Sequence, residues 1–92
     1  DLPLILLPGT AEKLETWDRS GYNIILTTGR KESMRYSTEN QLRKAGIYYD
    51  QLIMGIGGGK RYLINNRKKD REENYATAIN LSFDKGIYGI IL

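Results

Sequence analysis

The sequence predicts an α/β fold, a parallel sheet with helices packed on it in layers. Three observations predict it. Tyr22-Asn23-Ile24-Ile25-Leu26-Thr27-Thr28-Gly29-Arg30 runs from an apolar, β-branched stretch straight into Thr-Thr-Gly-Arg. A continuous apolar run of this kind reads as a strand buried on both faces of a parallel sheet. Helical patterns stand on either side of it, so that helix, tight turn and strand follow one another as they do in α/β proteins. A second short apolar segment, Gln51-Leu52-Ile53-Met54, comes after the second helical pattern. With 92 residues the chain suffices for one domain, expected to span 1–92, and is marginal for a large core.

The elements follow in order. Asp1 to Leu7 is apolar and opens abruptly without a methionine, so the chain is expected to be truncated at its N-terminus. Pro8-Gly9-Thr10 breaks the run and starts a helix. Leu14, Trp17 and Ala11 share one face, while Glu12, Lys13, Glu15 and Asp18 face water. Gly21 ends this helix as a left-handed cap, and the strand Asn23–Thr27 follows. The second helix is predicted over Lys31 to Lys44, with Met34, Thr38, Leu42 and Ala45 on one stripe and Gly46 as its cap. Arg43 and Lys44 in its last turn suit the helix dipole. Gln51–Met54 is the next strand, Gly55–Gly59 a flexible loop, and Tyr62–Asn65 a third strand with Asn66 at its end. Arg67 to Asn74 reads as a charged surface segment, Ala76 to Leu81 as a fourth strand, and Gly86 to Leu92 as an apolar tail of β character.

Composition narrows the chemistry. A hydrophobic fraction of 40% with 27% charged residues is that of an ordinary soluble domain. No apolar run is long enough to span a membrane, and no signal peptide is expected. There is no cysteine, which excludes disulfide and thiolate chemistry and fits a reducing, cytoplasmic setting. There is no histidine either, so acid–base or metal chemistry must use carboxylates, lysines, tyrosines or amides. The net charge of +3 is compatible with a phosphate-bearing ligand without arguing for DNA.

Ligands of parallel α/β sheets bind beyond the carboxyl ends of the strands. Thr27, Thr28, Gly29 and Arg30 fall at such an end. The competing reading is an ordinary turn, with a threonine capping the next helix and a glycine relieving strain. Other motifs fail in detail. Gly55-Ile56-Gly57-Gly58-Gly59-Lys60 lacks the glycine spacing of a P-loop, and Arg61 stands where that motif needs Ser or Thr. Arg67-Lys68-Lys69 is followed by Asp70, Glu72 and Glu73, and reads as a solvated face rather than a nucleic-acid patch. The seven tyrosines are scattered and read as packing residues.

Taken together, Leu7-Pro8-Gly9-Thr10-Ala11-Glu12-Lys13-Leu14, the strand Gly21 to Arg30 and Leu63-Ile64-Asn65-Asn66 resemble the haloacid dehalogenase-like (HAD) phosphatase superfamily. The resemblance runs from about Leu7 to Ile87 and is closest to small, cap-poor members described as sugar or capsule phosphatases. It implies a three-layer Rossmann-like fold and, in the parent protein, Mg²⁺-dependent hydrolysis of a small phosphorylated substrate. It makes Thr28 the strand-end hydroxyl that binds the transferring phosphoryl group, with Gly29 and Arg30 beside it. It makes Lys60 the lysine that neutralises phosphate and nucleophile, with Arg61 as competitor. It places Asn66 where the family carries a metal-binding acid.

The chain departs from that pattern at two points. The family's nucleophile lies in Asp-x-Asp, and no Asp-x-Asp occurs here. Either Leu6 and Pro8 replace both aspartates, or, in the preferred alignment, the first strand lies upstream of this chain. Phosphoryl transfer through an aspartyl-phosphate needs that nucleophile, so the chain is expected to be inactive. Asn66 offers one neutral carbonyl oxygen where hard Mg²⁺ favours carboxylate, so no metal is expected on the chain alone. A non-catalytic binding or scaffold domain on the same fold is the alternative. A missing first strand would also expose a sheet edge through which the chain could pair with another copy.

Overall fold

A computed structural model describes residues 6–83 and 85–92. The described residues form a mixed α/β unit of two helices and a two-stranded parallel sheet: α1 Thr10–Arg19, β1 Ile25–Thr27, α2 Arg35–Lys44 and β2 Gln51–Ile53. A 3₁₀ turn, Glu32–Met34, leads into α2. The apolar run expected ahead of Pro8 lies largely outside the described residues.

Both helices end as their glycines dictate. Gly21 adopts φ 89°, the Tyr22 N–H reaches the Trp17 carbonyl and the Gly21 N–H reaches that of Asp18. Gly46 adopts φ 73°, and the same two bonds recur from Ile47 to Leu42 and from Gly46 to Arg43. This is the Schellman pattern, which satisfies the last carbonyls and turns the chain sharply back. At the second turn it also brings Ile47 and Leu42, both buried, into the same core. The start of α2 is the weaker end. Lys31 stands at the first cap with no side-chain bond, and lysine has no acceptor to offer. The chain tightens there into the 3₁₀ turn, closed by the Met34 N–H on the Lys31 carbonyl, instead of beginning α-helix at Lys31.

The strands pair in parallel with Ile25 opposite Gln51, Leu26 opposite Leu52 and Thr27 opposite Ile53. Asp50 secures the entry to this ladder. Its carboxylate accepts the Ile24 N–H at 2.7 Å, and its own N–H reaches the Ile24 carbonyl at 2.7 Å. Leu14, Ile24, Leu42, Ile47, Leu52 and Met54 form the core, with Trp17, Leu26, Met34 and Ile87 packed against it. The tail folds back over the entrance to α1. Gly9 has φ 83°, and a Cβ there would run into the Tyr88 ring.

Four expectations are corrected. β1 is not buried on both faces: Ile25 is 54% exposed and Thr27 and Ile53 are exposed beside it, because no helix covers that side of the sheet among the described residues. The third strand over Tyr62–Asn65 and the fourth over Ala76–Leu81 do not form. Leu63 and Ile64 lie exposed, 75% and 92%, since β propensity needs a partner ladder and a face to bury, and these segments have neither. The tail is a turn, closed by the Ile90 N–H on the Ile87 carbonyl, and not a strand. The radius of gyration, 15.0 Å, exceeds the roughly 12 Å of a compact chain of this length. The three-layer architecture is not reached by the two strands and two helices described.

The Asp50 carboxylate anchors the part-buried Ile24 N–H, which has no other acceptor among the described residues. Asp50→Ala is expected to lower unfolding stability by about 1 kcal/mol, with Asp50→Asn, which keeps an oxygen acceptor, losing less. Urea unfolding of the three proteins measures this; equal midpoints would show that the bond contributes nothing.

Candidate functional site

The carboxyl end of β1 is where the backbone is most heavily bonded. The Thr28 N–H continues the ladder to the Ile53 carbonyl at 3.0 Å. The chain leaving β2 then crosses back: the Ile56 N–H reaches the Thr28 carbonyl at 3.0 Å and the Gly55 N–H reaches the Arg30 carbonyl at 2.8 Å. Gly55 can make this crossing because it holds φ 78°. Gly29 lies under it, where a Cβ would stand 3.2 Å from the Ile56 carbonyl oxygen. That separation is tight for a methyl group and suits glycine.

Thr28 serves the turn and faces the site at once. Its Oγ1 accepts the Arg30 backbone N–H at 3.2 Å, a hydroxyl-stabilised turn. Its hydroxyl proton and the Gly29 N–H take no protein acceptor among the described residues. Both donors lie at the strand end. Arg30 turns toward α2, where Nη1 donates to Thr38 Oγ1 at 3.1 Å and to Gln41 Oε1 at 2.6 Å. These bonds explain why a threonine occupies the apolar stripe of α2. Thr38 is buried, and its hydroxyl is satisfied by the guanidinium. Thr28, Arg30, Thr38, Leu26, Leu42 and Leu52 line a cavity of about 220 Å³ between α2 and the sheet. The cavity therefore has an apolar floor, and its rim carries a hydroxyl and a guanidinium.

Arg35, which the sequence did not single out, ties α2 to the strand ends. It forms a two-pronged pair with Glu32 and donates from Nη2 to the Leu52 carbonyl at 3.0 Å. The hydrogen bond from Arg35 holds the Glu32 carboxyl below its ordinary range, and Glu32 in turn holds the Arg35 guanidinium above its own. An Arg-x-x-x-x-Arg spacing across the turn, Arg30 to Arg35, was the available signal, and it is a weak one, since most such arginines are solvated.

The remaining candidates lie apart. Lys60 is exposed on the glycine loop and is not among the residues lining the cavity. Neighbouring Arg61 bonds the Gly59 carbonyl. Asn66 is exposed, in no strand, and its carbonyl accepts the Asn65 side-chain amide. Among the described residues no three metal-ligating side chains gather. An exposed asparagine, with one neutral carbonyl oxygen, does not by itself fit a hard ion that demands octahedral oxygen ligands, and no chemical step is routed through a metal. No helix is long and apolar enough to cross a membrane among the described residues. The chain matches no protein-family model, and neither a curated protein nor a solved structure matches it.

The Glu32–Arg35 pair makes a signed prediction. A carboxyl held low in the folded state contributes stability above its unfolded value and loses it as the pH falls through the folded one. Arg35→Met is expected to lower the thermal midpoint at pH 7, and the gap to the parent chain is expected to narrow below about pH 4.3, the unfolded glutamate value. Melting curves recorded by circular dichroism from neutral to acid pH check it; a gap constant with pH would remove the ion pair from the account.

Proposed function

We propose that the chain is the phosphoryl-holding part of a HAD-like domain whose parent protein hydrolyses a small phosphorylated substrate with Mg²⁺. The carrying observation is the corner at Thr28. A hydroxyl and the Gly29 N–H stand at the carboxyl end of a parallel strand beside a guanidinium, the kind of donors that charge-assisted bonds to phosphate require. The loop glycines would bring Lys60 to the same anion. In a three-layer Rossmann-like arrangement a second layer of helices would cover the open face at Ile25 and Ile53. The absence of cysteine suits a cytoplasmic setting.

A second reading is favoured by two residue choices. The chain holds no Asp-x-Asp, and Asn66 stands where the family carries an acid. Both suit a domain that binds a phosphorylated ligand without cleaving it. The two readings share the anion site and differ in the nucleophile.

Titration of isotope-labelled chain with inorganic phosphate tests the shared part. Backbone shifts are expected at Thr28, Gly29 and Arg30, and Thr28→Val, which removes the hydroxyl and keeps the shape, is expected to weaken binding by about tenfold, the worth of one charge-assisted bond. Shifts confined to 67–71 would reject the site.

Catalysis is tested separately. The 92-residue chain is expected to hydrolyse p-nitrophenyl phosphate no faster than buffer with Mg²⁺, for want of an aspartyl nucleophile. Turnover that co-purifies with the chain and disappears in Thr28→Val would overturn this.

A further inference from the structure

The net charge of the chain lies in one place. Residues 60–73 carry six cations, Lys60, Arg61, Arg67, Lys68, Lys69 and Arg71, against three acids, Asp70, Glu72 and Glu73. That excess of +3 equals the net charge of the whole chain, because the other residues carry eight cations and eight acids. By composition alone the interrupted run Arg67–Lys69 reads as a solvated face. The structure adds an arrangement to it. Arg67 donates from Nε and Nη2 to Asn74 Oδ1, at 3.4 and 3.1 Å, and so ties the two ends of the loop together. The Arg71 N–H closes a turn on the Lys68 carbonyl, and Asp70 takes the left-handed position, φ 60°. Lys68 Nζ rests 4.6 Å from the centre of the Tyr75 ring, and the Tyr75 hydroxyl donates to Glu73. Of the three acids, Glu73 is the one that takes a side-chain partner among the described residues, and that partner is a neutral hydroxyl.

The same segment carries two solvent-exposed tyrosines: Tyr62 is 81% exposed, and Tyr75, with Lys68 Nζ over its ring, is 50% exposed. Leu63, Asn65, Arg67, Asn74, Tyr75 and Ala76 line an open cavity of about 250 Å³. That is below the roughly 300 Å³ of a pocket for a drug-sized ligand, and suits one planar base. Its lining combines side-chain amides, a guanidinium and a ring. Clustered cations with exposed aromatic faces are the two requirements for holding single strands, phosphates by charge and bases by stacking.

We propose that residues 60–75 form a binding surface for single-stranded nucleic acid, with Arg67, Lys68, Lys69 and Arg71 on the phosphates and Tyr62 and Tyr75 against the bases. Apart from Lys60, which the phosphate reading also draws on, the surface uses no residue of the Thr28 corner, and the roles of Arg67, Lys68, Lys69, Arg71, Tyr62 and Tyr75 do not depend on that reading.

Fluorescence anisotropy with labelled oligo-dT and oligo-U, read over a salt series, tests it. The expected dependence of log K on log salt has a slope of about −3, four phosphate contacts at roughly −0.7 each. Lys68→Glu with Lys69→Glu is expected to weaken binding by more than about tenfold, and Tyr62→Ala severalfold. A control, Lys13→Glu with Lys85→Glu, changes the net charge equally but leaves the loop intact, and is expected to bind much more tightly than the loop variant. Circular dichroism confirms that each variant keeps its helices. An equal loss in the control, a sulfated polysaccharide bound as tightly as the oligonucleotide, or no binding at low salt would each overturn the proposal.

Discussion

Two parallel strands of three residues each cannot stand by themselves, and the arrangement of the strand ends depends on what reinforces that ladder. Parallel pairing is somewhat weaker per residue than antiparallel and needs a crossover to exist at all. Here the crossover is α2. The reinforcement comes at both ends of the strands. Asp50 grips Ile24 at the entry, from its carboxylate and from its own N–H. At the exit, the Ile53, Gly55 and Ile56 backbone bonds lock Thr28 to Arg30. Arg35 fastens the helix to the Leu52 carbonyl between them. Each of these groups is polar, and the side chains of Asp50 and Arg35 satisfy backbone atoms of the buried residues Ile24 and Leu52.

This economy shapes the corner at Thr28. The turn must be tight because the outgoing chain of β2 passes directly over it, and Gly29 and Gly55 are the residues that allow the approach. A threonine whose Oγ1 already accepts the Arg30 N–H has its side chain held in place, so the hydroxyl oxygen keeps a fixed position at the strand end. Preorganised donors of this kind lose little entropy when an anion arrives. The same bonds that keep a minimal sheet together therefore hold the Thr28 side chain and the Gly29 N–H in place; Thr28 braces the turn through the Arg30 N–H and caps neither the 3₁₀ turn nor α2.

Much of the first half of the chain was legible because its signals are local. Gly21 and Gly46 announced helix ends through a backbone preference that only glycine satisfies cheaply. The Met34, Thr38, Leu42 stripe announced α2 through its period. The errors came where a decision rests on distant neighbours. Ile25 sits in an apolar run, yet whether it is buried depends on a covering layer, and no local pattern supplies that. Tyr62-Leu63-Ile64 has the composition of a strand, yet a strand is a relation between two segments. The roles of Asp50, Thr38 and Arg35 were hidden for the same reason: each acts across 8 to 26 residues of sequence. The site residues divide along this line. Thr28, Gly29 and Arg30 are contiguous and fall together whatever the fold; Lys60 and Asn66 could meet them only through the pairing of strands that do not form here.

The division also separates two kinds of chemistry on one chain. Outside 60–73 the cations and acids balance, eight against eight, so the folded body exerts little long-range field. What the Thr28 corner offers an anion is directional: a hydroxyl, an N–H and one guanidinium already oriented by Thr38 and Gln41. Short bonds in a partly covered cavity are little affected by salt. The loop from Lys60 to Glu73 offers the opposite, exposed charge on flexible stems that attracts at a distance and weakens as the Debye length falls from about 10 Å at 0.1 M to about 3 Å at 1 M. On the reading proposed for the corner, a compact phosphate monoester would be taken there and would present little length for the loop to engage. A phosphodiester chain spans several cations of the loop at once and is too extended for a cavity of about 220 Å³. Ligand size and ionic strength therefore separate the two surfaces on the same molecule, which follows from where the chain put its structure and where it put its charge.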